Sequence, residues 1–212
     1  MNKKGFTLLE LLIVITIISV LSVILIVALN PAETLRKARD TQRLSDLASL
    51  KTALGVYITS KSSPLLDNVD NNTCNNGTGS ATTWVSAQTS DASIYSSAAV
   101  VDTDGDSGDF AIDGTGWIKV NLGSIAGGSP ISNLPIDPST NNETSVGASV
   151  TDTTLVYTFV CDEDDITFEI NAVLESAAFG PASTDDDKSE KDGGNSDALY
   201  EVGTKLNIVS GR

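Results

Sequence analysis

The chain contains no histidine. Serine and cysteine hydrolases use an imidazole to move the proton of the nucleophile, so catalytic triads and dyads of that kind are excluded. The commonest zinc sites are excluded as well, because histidine is among their usual ligands. The protein is therefore not expected to be an enzyme.

Cysteine is also scarce, since only Cys74 and Cys161 are present. They lie far apart and form no C-x-x-C motif, which excludes a thioredoxin-type redox centre and a cysteine-rich zinc site. If the protein is exported, a single disulfide is the expected state. Two buried free thiols are the alternative.

Basic residues are few in most of the chain. Residues 1–61 hold 8 of the 13 basic residues and 4 of the 28 acidic ones, for a net charge of +4. Residues 62–212 carry the remainder, for a net charge of −19. Nucleic-acid backbones are bound by clusters of Lys and Arg, so no specific nucleic-acid binding is expected.

A long segment near the N-terminus contains almost no polar residues. Residues 11–29 contain only Leu, Ile, Val, Ala, Ser and Thr. A helix over residues 6–29 would be about 36 Å long, enough to cross a hydrocarbon core of about 30 Å. An ordinary secretory signal is shorter and ends in a small-residue cleavage site, which does not follow here. Glu10 stands at the head of this run, where an ionisable group is costly and usually functional.

The N-terminal sequence KKGFTLLELLIVITIISVL resembles that of type IV pilins and type II secretion pseudopilins. A short basic leader ending in Gly5, the aromatic Phe6, Glu10 five positions after the glycine and the apolar run carry this resemblance. It implies that a prepilin peptidase cuts between Gly5 and Phe6 and methylates the new N-terminus. It also implies that Glu10 pairs with the N-terminal amine of a neighbouring subunit in a filament. The alternative is that Glu10 reaches water at the membrane interface.

The charges that flank the apolar run leave its orientation ambiguous. More basic residues follow the run than precede it, so the positive-inside rule alone favours an external N-terminus. The resemblance implies the opposite, with the head outside the cytoplasm and later in an extracellular or periplasmic filament. We follow the resemblance because its motif is more specific. The partners it implies are further copies of the chain, the peptidase, a membrane assembly platform and minor pilins.

Residues 30–60 predict the second half of a long helix. Asn30, Pro31 and Glu33 are typical of a helix start, although Pro31 could equally kink one continuous helix. Pilins commonly carry a proline in this helix, so one kinked helix of about 50 residues is favoured. Apolar residues at spacings of three and four predict that one face packs on a sheet. This stripe consists of Leu44, Leu47, Leu50, Leu54, Tyr57 and Ile58.

The remainder predicts a β-rich head with long loops. Alternation and turn residues predict strands at 83–86, 98–101, 116–125 and within 198–209, and a hairpin of 155–161 with 166–173. The predicted class is α+β, a pilin fold with a long N-terminal helix packed on a small antiparallel sheet. Its parts are a leader (1–5), a transmembrane and assembly helix (6–29), an amphipathic half-helix (30–60) and an acidic head (61–212). A disulfide between Cys74 and Cys161 would tie the loop region to the central strand.

Segments of the head also resemble bacterial prepilin-type proteins, although less specifically. The segment DGTGWIKVNLGSIAGGSPISNLPIDPSTN and the later LYEVGTKLNIV carry this resemblance. The LPIDP sequence within the first resembles the proline-containing loop of major pseudopilins. None of these segments distinguishes a pilus from a secretion machine.

Two acidic loops are candidate calcium sites. The sequence DTDGDSGDF places Asp102, Asp104, Asp106 and Asp109 at spacings that suit the oxygen ligands of Ca²⁺, although it is not an EF-hand loop. A solvated acidic loop is the alternative. The second cluster lies near the C-terminus, where major pseudopilins bind calcium, and a disordered loop is favoured there. Its members are Asp185, Asp186, Asp187 and Asp192.

The sequence as a whole predicts a structural subunit of a type IV pilus-like filament, polymerised through its N-terminal helix. A pseudopilin of a type II secretion system or a DNA-uptake filament is the first alternative. A membrane-anchored calcium-binding adhesin that does not polymerise is the second.

Overall fold

The computed structural model describes residues 5–67, 74, 83–86, 110–139, 155–181, 183 and 186–208. Residues up to Arg36 form one compact unit and residues from Lys37 onward form another. The helices are α1 (Leu8–Leu29), α2 (Pro31–Ser60) and α3 (Lys188–Lys191), with a short 3₁₀ helix at Leu122–Ser124. The strands are β1 (Thr83–Val85), β2 (Tyr157–Asp162), β3 (Thr167–Ala172) and β4 (Tyr200–Gly203). An apolar helix, a second helix and an antiparallel sheet confirm the predicted α+β class, an architecture consistent with the pilin fold.

The apolar run and the residues after it form two helices. Helix α1 ends at Leu29, and Asn30 adopts a left-handed conformation with φ 40° and ψ 71°. Asparagine tolerates that conformation better than most residues, and Pro31 suits the first position of a new helix because it needs no backbone donor there. The Asn30 carbonyl accepts the first hydrogen bond of α2, which the Glu33 backbone N–H donates at 3.1 Å. The favoured prediction of one kinked helix is therefore wrong, and the alternative of a helix restart is correct.

Most of the apolar stripe of α2 is buried, as predicted, while Leu44 and Ile58 are half-buried. Leu47, Leu50 and Leu54 have no exposed surface, and Tyr57 is 5% exposed. They belong to one hydrophobic cluster with the sheet and the loops that follow it. Because apolar burial is the main favourable term in folding, this stripe is the chief attachment of α2 to the head.

The four strands form one antiparallel sheet in the order β1-β2-β3-β4. The predicted hairpin is present, since Tyr157 pairs with Ala172 and Asp162 with Thr167 across β2 and β3. Strands β1 and β4 fall within the ranges predicted at 83–86 and 198–209. The strand predicted at 98–101 lies outside the described residues.

The strand predicted at 116–125 is wrong. This segment forms a single bridge between Asp113 and Asn121 and then the 3₁₀ helix. Its apolar residues are buried without alternation, because Trp117 and Ile118 are adjacent and both have almost no exposed surface. The Trp117 Nε1–H donates to the carbonyl of Pro135 at 3.0 Å. The segment is a packed loop that fills the core rather than a strand at the sheet edge.

The two faces of the sheet differ in chemistry, although both are buried. The face toward the hydrophobic cluster carries Tyr157 and Phe159 from β2 and Phe168 and Ile170 from β3. The opposite face is largely polar. Its buried polar members are Thr83, Thr158, Asp162, Glu169, Asn171 and Glu201. Burying polar groups is costly unless they are hydrogen-bonded, so this face needs partners from the segments that cover it.

The two cysteines form a disulfide that joins the loop after α2 to the central strand β2. Cys74 and Cys161 are both buried, and their sulfur atoms are bonded to each other. This is the pairing predicted from the sequence. The bond closes a long loop whose sequence separation is 87 residues.

Breaking this disulfide should destabilise the head. We expect reduction, or the paired change Cys74→Ser and Cys161→Ser, to lower the free energy of unfolding by about 2–4 kcal/mol, because the unfolded chain loses a constraint. Denaturant unfolding followed by the fluorescence of the buried Trp84 and Trp117 measures this change. The serine variant supplies the control, since reductant should not shift its midpoint. Equal midpoints for the oxidised and reduced wild-type chain would contradict the expectation.

Candidate processing and assembly site

The junction predicted to be cut lies in an exposed segment ahead of α1. Residues 5–7 precede the helix, and Phe6 is 83% exposed. A side chain added at Gly5 would meet no atom within 4 Å. Among the described residues, nothing therefore shields the backbone between Gly5 and Phe6 from an approaching enzyme.

Glu10 takes part in a capping box at the start of α1. The Thr7 hydroxyl accepts the Glu10 backbone N–H at 3.2 Å. In return, the Thr7 backbone N–H and hydroxyl donate to Oε2 of Glu10 at 2.9 and 2.8 Å. Two helix-end donors that would otherwise lack partners are thus satisfied within one turn.

The capping box was missed in the sequence, although a signal for it is present. Thr7-Leu8-Leu9-Glu10 has the T-x-x-E pattern that precedes an apolar helix. The carboxylate therefore has a local role besides the one that the resemblance implies. Both described hydrogen bonds to it end on Oε2, so Oε1 is available to another donor.

Helix α1 exposes an apolar surface along its length. The segment Leu8–Ile26 is long and apolar enough to cross a membrane, with a mean hydropathy of 2.9, and its residues are exposed. Its three hydroxyl side chains donate to backbone carbonyls within the helix, Thr16 to Ile13 for example, at 2.8 Å. Ser19 and Ser22 do the same. An apolar surface of this size must be covered by lipid or by other helices.

A buried ionic cluster joins α2 to two loops of the head. Its centre is Arg43, which has no exposed surface. The guanidinium donates to both oxygens of Asp137 at 2.7 and 2.8 Å, and to Asp40 at 2.7 Å. It also donates to Glu175 at 2.9 Å, and the half-exposed Arg39 donates to both Glu175 oxygens. This cluster was not predicted from the sequence, because Asp137 and Glu175 lie far from Arg43 in the chain.

The electrostatics of the cluster keep Glu175 and Arg43 charged. The hydrogen bond from Arg39, together with Arg43, lowers the pKa of Glu175 to about 2 against the opposing effect of burial. Burial acts to lower the pKa of Arg43, but the carboxylates around it outweigh that effect and raise its pKa. A depressed carboxyl pKa stabilises the fold above pH 4.5, and that contribution is lost as the pH falls through about 2.

The predicted calcium ligands are only partly placed by the structure. Asp102, Asp104, Asp106, Asp109 and Asp185 lie outside the described residues, so the first acidic loop stays a prediction. Three members of the second cluster are described, and each is paired with groups of the chain itself. Asp186 pairs with Lys188 and Lys191, the Asp187 carboxylate caps α3, and Asp192 accepts the backbone N–H groups of Gly194 and Glu201.

One other group of potential metal ligands lies in the described part of the chain. The ligand atoms of Asp67, Cys74 and Glu163 all lie within 4.8 Å of one another. Cys74 is bonded to Cys161 and offers no thiolate to a metal. Burial and the neighbouring Asp67 raise the pKa of Glu163 to about 7.

Comparison with known families confirms the predicted resemblance of the N-terminal segment. Residues 1–26 match the prokaryotic N-terminal methylation motif, which is the class III signal of type IV pilins and pseudopilins. The match covers the Gly5–Phe6 junction, Glu10 and the apolar part of α1. Neither the comparison with characterised proteins nor that with solved structures gave a significant match.

Proposed function

We propose that the chain is a structural subunit of a type IV pilus-like filament, cut between Gly5 and Phe6 and polymerised through α1. One observation carries this proposal. An exposed, membrane-length apolar helix begins directly after an unshielded Gly–Phe junction, within a match to the N-terminal methylation motif. Lipid covers the helix before assembly, and the helices of other copies cover it afterwards.

The capping box explains how Glu10 serves both states. In the membrane-held subunit, the Thr7 donors satisfy Oε2 and so reduce the penalty of placing a carboxylate beside lipid. Cutting after Gly5 creates a positively charged amine on Phe6. The free Oε1 of Glu10 can accept that amine from a neighbouring copy while the cap stays in place. A pair of opposite charges in a low-dielectric filament core fixes the register between helices.

The head then lies outside the cytoplasm and forms the filament surface. The charge of −19 on residues 62–212 repels neighbouring filaments and keeps the surface soluble. The prepilin peptidase, a membrane assembly platform and further copies of the chain are the partners that this function requires. A short periplasmic filament of a secretion machine uses the same N-terminal chemistry, so the two versions differ in where the processed chain is found.

The processing step can be tested by enlarging residue 5. Gly5→Leu should leave the chain uncut, because the peptidase must accommodate the residue before the scissile bond. The variant should fold normally, since a side chain at this position meets no atom of the chain within 4 Å. Intact-mass analysis of the membrane-held protein measures the result.

A second glycine supplies the matched control. Gly55 lies in α2, and a side chain there also meets no atom within 4 Å. We expect Gly55→Ala to be cut as completely as the wild-type chain. Complete cutting of Gly5→Leu at the same bond would contradict the proposal.

A further inference from the structure

Two buried glutamates lie side by side on the polar face of the sheet. Glu169 on β3 has no exposed surface, and Glu201 on β4 is 2% exposed. In the strand register Glu201 is opposite Asn171, two residues along β3 from Glu169. The two carboxyls lie close enough to interact, and a hydrogen bond between them requires a proton on one of them.

The pair accepts hydrogen bonds from the chain segments on both sides of β4. We define the C-terminal cover as residues 187–199 and 204–208. The Ser196 backbone N–H donates to Oε2 of Glu201 at 3.0 Å, and the Ile208 backbone N–H donates to Oε2 of Glu169 at 2.8 Å. Gly194 lies so close that any side chain there would collide with the Glu201 carboxylate. Both parts of the cover are therefore anchored on the same pair.

The Asn171 amide beside the pair donates to Oε1 of Glu169 at 2.9 Å. Both oxygens of Glu169 therefore accept donors, Oε1 from Asn171 and Oε2 from Ile208, which favours Glu201 as the carboxyl that carries the proton.

We propose that the Glu169–Glu201 pair is a proton-dependent latch that fastens the C-terminal cover to the sheet. With one proton, the pair forms a hydrogen bond and accepts the backbone donors of the cover. Without that proton, two buried carboxylates face each other and repel. The cover then opens locally, which lets water reach the carboxylates while the rest of the sheet stays folded.

The charged groups around the latch favour keeping the proton. Burial raises the pKa of Glu201 to about 8, with Glu169 and Asp192 adding to the effect and the Ser196 N–H opposing it. The cover also brings Asp187 and Asp197, which act on Asp192. The lysines of the cover face other carboxylates, since Lys188 and Lys191 pair with Asp186, and Lys205 pairs with Asp162 and Asp165.

The direction of the pH effect follows from these values. An exposed glutamate has a pKa of 4.5, whereas that of Glu201 in the closed cover is about 8. Between pH 4.5 and about 8, the closed state therefore keeps a proton that the open state releases. The latch is strongest below pH 4.5 and weakens as the pH rises toward about 8.

Hydrogen exchange of the full chain in detergent micelles tests the latch. After correction for intrinsic exchange, the opening constant of peptides from the cover should rise up to about tenfold per pH unit, or about 100-fold from about pH 5.5 to about pH 7.5. Peptides from β2 and β3 supply an internal reference and should change far less.

Three variants separate the latch from other causes. Glu201→Gln replaces the titrating carboxyl by a neutral group of the same shape, so the pH dependence of the cover should disappear. Glu169→Gln removes the neighbouring charge but leaves Glu201 buried, so the pH dependence should be reduced. Asp197→Asn changes an exposed carboxylate of the same cover and should keep the wild-type dependence. Equal opening of the wild-type cover at both pH values, or unchanged dependence in both Gln variants, would overturn the proposal.

Discussion

Replacing Glu10 by alanine should reduce the yield of filaments at least about tenfold while the chain remains cut and anchored. The reason is electrostatic. A carboxylate beside lipid carries a free-energy penalty, which is relieved when it pairs with a charged amine on assembly. Alanine carries no such penalty in lipid and forms no such pair in the filament, so this driving force for assembly is lost. Filament yield is measured by immunoblotting of material sheared from cells, normalised to the processed chain in the membrane.

Two neighbouring variants separate the charge of Glu10 from its capping role. Glu10→Gln keeps a capping box, because glutamine serves at this position as well, but it removes the charge. Thr7→Ala removes the cap and keeps the charge. We expect the first variant to fail in assembly and the second to form filaments. Normal filaments from Glu10→Gln would show that the carboxylate acts only as a cap.

Replacing Arg43 by leucine should lower the free energy of unfolding by about 3–5 kcal/mol. The change removes the cation that lies between Asp40, Asp137 and Glu175, and the buried carboxylates would then face one another. A loss of this size is a large share of the stability of a small domain. Denaturant unfolding of the full chain in detergent, followed by tryptophan fluorescence, measures it.

An exposed arginine of the same helix is the matched control. Arg36 forms a 3.9 Å ion pair with Glu33, and its side chain is 53% exposed. Arg36→Leu should therefore cost no more than about 1 kcal/mol. Arg43→Lys is informative too, because an ammonium group cannot reproduce the paired hydrogen bonds to Asp137 and should recover only part of the loss. Similar losses for Arg43→Leu and Arg36→Leu would contradict the account of the cluster.

The parts of the fold that were predictable from sequence depend on short-range patterns. The hairpin of β2 and β3 follows from two alternating runs around an acidic turn, and the α2 stripe follows from helical spacing. The failures have two different causes. Residues 116–125 alternate like a strand, but the core takes up Trp117 and Ile118 together. The helix break depends on the left-handed Asn30, where the sequence supported a kink equally well.

The candidate site likewise has parts that short-range patterns predict and parts that they do not. The motif that contains Gly5, Phe6 and Glu10 was recognisable because it is contiguous, and the cap on Glu10 could have been found from Thr7. The cluster around Arg43 could not be predicted, because its partner Asp137 is 94 residues away and no spacing rule connects them. The Glu169–Glu201 pair was unpredictable for a similar reason. Its two strands show the usual alternation of apolar and polar residues, which does not distinguish a buried glutamate from an exposed one. Its burial depends on how a distant loop covers the sheet.

The most direct test of the central claim is the intact mass of the chain in material sheared from the cell surface, compared with that left in membranes. The account predicts a chain that begins at methylated Phe6 in the sheared fraction. The same processed chain confined to membranes would favour a secretion pseudopilin. A chain that still begins at Met1 in both fractions would contradict the account, since neither processing nor the pairing of Glu10 with a free amine could then occur.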